Sequence, residues 1–173
     1  LFITTGVMAQ IALEAADLLK ADGVDVGVLH VHTIKPFDNH GVISAMKKVN
    51  SVVTVEEHIV NGGLGSAVLE CCSDNEPGLL SRISRIGIPD KFATEYGSQN
   101  TLLKHWGITE SKLVDVMMKK IKARSGNRAP GHFRIRHFAN WCCACSIFPT
   151  PVCAIPMIGR PDVISSRVNP KLR

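Results

Sequence analysis

Three polar clusters could carry chemistry, and all lie within residues 32–67. The first reads His32-Thr33-Ile34-Lys35-Pro36-Phe37-Asp38. It follows an apolar strand-like run, the place where parallel sheets usually present ligand-binding groups. There Lys35 could contact an anion. The competing structural reading stiffens the loop with Pro36, caps a helix with Asp38 and leaves Lys35 in water, and the pattern alone favours it. The second cluster is Glu56-Glu57-His58. Paired carboxylates beside an imidazole can do acid–base work if their surroundings separate their pKa values. At a strand end, however, Glu56 and Glu57 alternate across the sheet, and one is then free to bind a neighbouring loop or subunit. The third cluster is Gly62-Gly63-Leu64-Gly65-Ser66-Ala67. Its Gly63-Leu64-Gly65 turn into a helix suits phosphate, which backbone N–H groups and the helix dipole would hold. The dinucleotide fingerprint needs a further Gly where Val68 stands, and it follows the first strand rather than the third. A tight turn with close helix–sheet packing explains Gly62, Gly63 and Gly65 as well.

Other candidates are weaker. His132, His137, Cys142, Cys143, Cys145 and Cys153 are ligand types for zinc, but no Cys-x2-Cys spacing occurs. Arg134, Arg136, Phe133, Phe138 and Trp141 suit at most salt-sensitive nucleic-acid contact without sequence preference. His30 and His32 share one face of a strand, where hydrogen-bonded packing accounts for them without a ligand. Cys71 and Cys72 sit side by side on a helix and point in different directions.

The elements that position these clusters follow from periodicity. Residues 3–5 read as a short strand and Gly6 as a turn. A helix then runs to about Ala21, with Val7, Ile11, Ala15 and Leu18 at helical spacing. Residues 25–33 read as a second strand, and Pro36 keeps Lys35 extended. Asp38 caps a helix carrying Val42, Ile43 and Met46. In residues 51–55, Val52, Val53 and Val55 leave almost no polar face, the mark of a strand covered on both sides. Leu64, Val68 and Leu69 begin a helix that Asn75, Pro77 and Gly78 break. Residues 80–88 contain a fourth strand, with Ile83, Ile86 and Ile88 alternating. A short helix covers residues 97–106, and Thr109 caps a last one with Leu113, Val116, Met117 and Ile121 inside. This alternation predicts an α/β fold: a three-layer, mostly parallel sheet of about five strands with helices on both faces. Some 120 residues suffice for a real core.

Composition sets further bounds. The 173 residues are 45% hydrophobic and only 5% aromatic, so the core is mostly aliphatic. No apolar run approaches membrane-spanning length and no signal-peptide pattern opens the chain, so no membrane partner is expected. Starting at Leu1 on the apolar run Leu1-Phe2-Ile3 suggests a fragment or processed chain. The net charge of +5 is unevenly placed. Residues 1–121 hold 11 Lys+Arg against 14 Asp+Glu, a balance of −3, and residues 122–173 hold 9 against Asp162 alone, a balance of +8. The basic character therefore belongs to the tail. Cysteine usage shows no secreted disulfide framework, which points to a reducing, cytoplasmic setting. The expected organisation is a domain over residues 1–124 and a basic, Cys- and Pro-rich, poorly structured tail over 125–173.

TIKPFD, VVTVEEH and GGLGSAV, in this order and spacing, resemble the C-terminal domain of transketolases. That domain is shared with deoxyxylulose-phosphate synthases and the beta subunits of 2-oxo-acid dehydrogenases. Gly87-Ile88-Pro89-Asp90-Lys91-Phe92 and residues 102–108 continue the resemblance, which covers residues 1 to about 122. The HTIKPFD and EEH motifs are most similar to transketolase proper, in particular the C-terminal subunit of split transketolases. The resemblance implies a homodimeric parent that moves two-carbon ketol units between sugar phosphates in the pentose phosphate pathway. It implies thiamine diphosphate and magnesium held by separate pyrophosphate- and pyrimidine-binding domains or subunits. It further implies a scaffold and dimerisation role here, with no cofactor bound by this chain alone and no catalytic role for Glu56, Glu57 or His58. Lys35, Asp38, Glu56, Glu57, His58, Gly62, Gly63 and Gly65 are then family-signature positions with possible anion or subunit contacts. The tail departs from the family pattern and reads as an out-of-frame or intron-derived extension. Three alternatives remain: an anion- or nucleotide-binding module using the Gly62–Gly65 turn, the C-terminal domain of a 2-oxo-acid dehydrogenase beta subunit or of a deoxyxylulose-phosphate synthase, and an interaction domain whose basic tail recruits an acidic partner.

Overall fold

A computed structural model describes residues 1–125 and 152–153 of the chain. The elements in order are β1 (Phe2–Thr4), α1 (Met8–Ala21), β2 (Val28–Val31), α2 (Asn39–Lys47), β3 (Val52–Ile59) and α3 (Leu64–Asn75). A 3-10 turn (Pro77–Arg82), β4 (Ile83–Ile88), α4 (Gln99–His105), α5 (Glu110–Ser125) and the two-residue β5 (Val152–Cys153) follow. The sheet order is β4-β3-β1-β2-β5. The first four strands are parallel, and β5 pairs antiparallel with β2, His30 opposite Cys153. The three-layer parallel architecture is therefore as expected, with four parallel strands rather than about five.

The strand sequences explain the layering. Side chains alternate across a strand, so Phe2, Val28, Val53 and Val55 enter the core under α1 and α5, with Leu113 and Met117. Ile3, Leu29, Val31 and Val52 enter the opposite core under α2 and α3, with Val42, Met46, Leu64 and Val68. β3 is buried on both faces from Val52 to Glu56, as its mostly apolar run leads one to expect, with Thr54 and Glu56 as buried polar members.

Two expectations shift. The buried stripe of α1 is Met8, Ala12, Ala15, Ala16 and Leu19, while Val7 and Leu18 are half exposed. Small alanines let α5 approach closely, and this counts for more than the larger side chains one position away. β3 also runs four residues further than expected, because Ile59 pairs with Ile88 beyond an irregularity in the ladder. Glu56, Glu57 and His58 therefore belong to the strand.

Most of the tail expectations lie outside the described residues: those for His132, Phe133, Arg134, Arg136, His137, Phe138, Trp141, Cys142, Cys143 and Cys145. Of the cysteines named there, only Cys153 falls in a described element.

Candidate functional site

The chain from β1 through α1 to β2 steps to one side of β1, and the chain from β2 through α2 to β3 crosses back to the other. Ligands in open α/β sheets favour the carboxyl-end crevice at such a reversal. An open cleft of about 420 Å³ lies there. Thr5, Gly6 and Val7 form one wall after β1, and Ile34 contributes from beyond β2. Glu56, Glu57, His58, Gly62, Gly63 and Leu64 form the other wall.

Glu56 organises this wall. It is fully buried, and alternation along β3 points it at the start of α3. Its Oε2 accepts from the Leu64 amide at 2.6 Å and its Oε1 from the Gly65 amide at 2.9 Å. These are the first amides of α3, which carry the positive end of the helix dipole. The carboxylate thus takes the place that a phosphate would occupy. Two of the donors that an anion at the Gly62–Gly65 turn would use are therefore occupied by a carboxylate of the same chain.

The glycines follow from the clamp. A Cβ on Gly63 would collide with Glu56 Oε2, and one on Gly65 would sit 2.7 Å from Arg85 Cδ and 3.0 Å from Thr54 Oγ1. Gly62 has φ +85, a region L side chains rarely adopt. Its amide donates to Ser66 Oγ at 2.9 Å, and Arg85 Nη1 donates to the Val60 carbonyl at 3.1 Å. Gly87 on β4 is equally constrained: a Cβ would lie 2.9 Å from the His58 carbonyl oxygen.

The remaining candidates separate. Glu57 leaves the opposite side of β3, where Gln99 Nε2 donates to both its oxygens at 2.8 Å. His58 is exposed, with Nδ1 3.0 Å from the Ile59 carbonyl. The two carboxylates therefore face different partners and share no proton-transfer geometry. Asp38 caps α2, accepting from the Gly41 amide at 2.8 Å. Lys35 is exposed, and its neighbour Ile34 lines the cleft instead. Thr5, Val7 and Gln99 were not legible as site residues, since only the sheet order and a contact spanning 42 positions bring them here.

Among the described residues, no group of three or more His, Cys, Asp or Glu could hold a metal ion. Cys71 and Cys72 are free thiols that point in different directions within the same core. Cys71 lies near the Asn39 carbonyl and Cys72 near Met46 Sδ. Burial, followed by Cys72, Asp74 and Asp38, pushes the Cys71 thiol up to about 11, and burial also raises Cys72. Neither thiol is a ready nucleophile.

Similarity to known proteins covers this region. The family model described as "Transketolase, C-terminal domain" matches residues 1–113. The 1-deoxy-D-xylulose-5-phosphate synthase of Heliobacterium modesticaldum is 39% identical over 66% of the chain, which covers 17% of that protein. The 6-deoxy-6-sulfo-D-fructose transketolase subunit SqwH of Clostridium sp. (strain MSTE9) is 41% identical over 65% of the chain, covering 34% of that protein. The chain thus spans about a third or less of these relatives. A solved split-gene transketolase, described as an inactive beta4 tetramer, superposes with TM-score 0.62 at 33% identity, over 70% of this chain and 38% of that one. A Pichia stipitis transketolase superposes with TM-score 0.51 at 16% identity, over 72% of this chain and 16% of that one, and shows the fold alone. With a matching model over most of its described residues, the chain belongs to the transketolase C-terminal domain family.

Proposed function

We propose that this chain is a non-catalytic scaffold and subunit-contact domain of a thiamine-diphosphate-dependent enzyme that transfers two-carbon ketol units between sugar phosphates. The observation that carries the reading is the Glu56 clamp. The glycine turn built like an anion site has two of its amide donors occupied by a buried side chain of the same protein. Cofactor and magnesium then reside in pyrophosphate- and pyrimidine-binding domains or subunits with which this domain assembles. The relatives extend well beyond the region matched, which leaves room in them for such domains. The tetramer of the similar split-gene transketolase supports assembly between copies, with a homodimeric parent as the simplest case. Free buried thiols suit a reducing cytoplasm, and no described helix is long and apolar enough to cross a membrane. Residues 125–173 lie beyond the matched region and stand apart from this role.

A second reading keeps the role and changes the parent to a 1-deoxy-D-xylulose-5-phosphate synthase, favoured by the 39% identity to the Heliobacterium enzyme. One experiment tests the role and separates the parents. Residues 1–124 replace the C-terminal domain of a transketolase and of a deoxyxylulose-phosphate synthase. The matching chimera is expected to recover its own reaction. Glu56→Ala is expected to lower its melting temperature while leaving kcat per folded enzyme within about twofold. A kcat loss of about a hundredfold or more with folding intact would place Glu56 in the chemistry and overturn the reading.

A further inference from the structure

We propose that Asn61 is a site of spontaneous deamidation, restrained by Ser66 and coupled through the glycine turn to the Glu56 clamp. The reaction starts at the main-chain nitrogen that follows the asparagine. Glycine leaves that nitrogen least hindered, because it has no Cβ. Of all the Asn residues in the chain, only Asn61 precedes Gly. Asn61 and Gly62 are both exposed, so water reaches the reacting atoms.

The step needs water and no other reagent. The Gly62 nitrogen attacks the side-chain carbonyl carbon of Asn61, and the new N–C bond closes a succinimide ring. The C–Nδ2 bond breaks, and Nδ2 leaves as ammonia with the proton that the Gly62 nitrogen gives up. Water then opens the ring at either carbonyl. One opening leaves aspartate at position 61. The other leaves isoaspartate, whose main chain runs through the former side chain. Nothing is oxidised or reduced.

Local geometry sets how freely Gly62 reacts. The ladder to β4 reaches the Val60 amide, which donates to the Ile88 carbonyl at 2.9 Å, and α3 begins at Leu64. Between these elements the Gly62 amide donates to a side chain, Ser66 Oγ, at 2.9 Å. Ser66 Oγ is fixed in turn: it donates to the Val60 carbonyl at 3.3 Å, and Arg85 Nη1 lies 3.5 Å from it. The Gly62 nitrogen must give up this bond before it attacks, so Ser66 slows the reaction.

The two products load the turn differently. Aspartate adds a charge at an exposed position. Isoaspartate lengthens the main chain by one carbon just before Gly62, in a segment with no slack. Three and four positions on, the Leu64 and Gly65 amides hold Glu56 at 2.6 and 2.9 Å. Gly63, between them, has no room even for a Cβ beside Glu56 Oε2.

Ageing of the folded full chain at physiological temperature and mildly alkaline pH, followed by peptide mass spectrometry, tests this. Asn50, Asn61 and Asn75 fall in one tryptic peptide, residues 49–82, and all three are exposed. Fragmentation is expected to place the amide-to-acid mass gain at Asn61, with Asn50 and Asn75 unchanged. Conversion of Asn61 no faster than of those two would overturn the proposal. Ser66→Ala is expected to speed conversion by about threefold or more, and an unchanged or slower rate would refute the restraint. Asn61→Gln is expected to abolish the gain and melt like the wild type. The isoaspartate form, isolated by ion exchange, is expected to melt about 4 °C or more below the wild type, while Asn61→Asp melts close to it. An isoaspartate form as stable as the wild type would refute the coupling to the clamp.

Discussion

At the scale of single residues, Glu56 and Gly63 act as one unit. Glu56→Ala leaves two buried amides without an acceptor, a cost of about 2–4 kcal/mol. Gly63→Ala drives a methyl into the same carboxylate and costs a similar amount. Because the clash needs the carboxylate, the double variant should lose clearly less than the two single losses combined. Urea unfolding of the four proteins measures this, and strict additivity would contradict the clamp. The sequence made Glu56 visible as a polar residue ending an apolar run. It did not show which of two adjacent carboxylates turns toward the glycines, because that depends on the strand continuing through Ile59.

Element by element, β2 and α2 carry their own tests. Burial, and then His32, lowers the pKa of His30 on β2. Just below its ordinary range the unfolded chain therefore binds more protons there than the folded one, so this contribution to stability is present above that range and is lost as pH falls through it. Denaturant midpoints should decline on acidification through the histidine range, and His30→Gln should flatten part of the slope; a slope unchanged by His30→Gln would contradict the half-buried imidazole. Asp38→Ala should cost about 1 kcal/mol, the usual loss of a helix cap, read as a lower midpoint with helix content elsewhere retained. Asp38, β3 and α3 were legible because capping, two-sided apolarity and a glycine turn are local signals. The inner face of α1 was not, because Ala12 and Ala16 are buried by the approach of α5, about a hundred positions on.

For the whole molecule, the fold was legible because strands and helices alternate, and alternation nearly forces a parallel sheet. The cleft wall contributed by Thr5 and Val7, and the Glu57–Gln99 contact, arise only when the strands assemble in the order β4-β3-β1-β2. The central claim is that this domain supports chemistry held elsewhere and keeps its own glycine turn closed with Glu56. Titration calorimetry of thiamine diphosphate with magnesium into the isolated chain tests it most directly. No binding heat is expected up to millimolar ligand; saturable binding at micromolar concentration would contradict the closed turn.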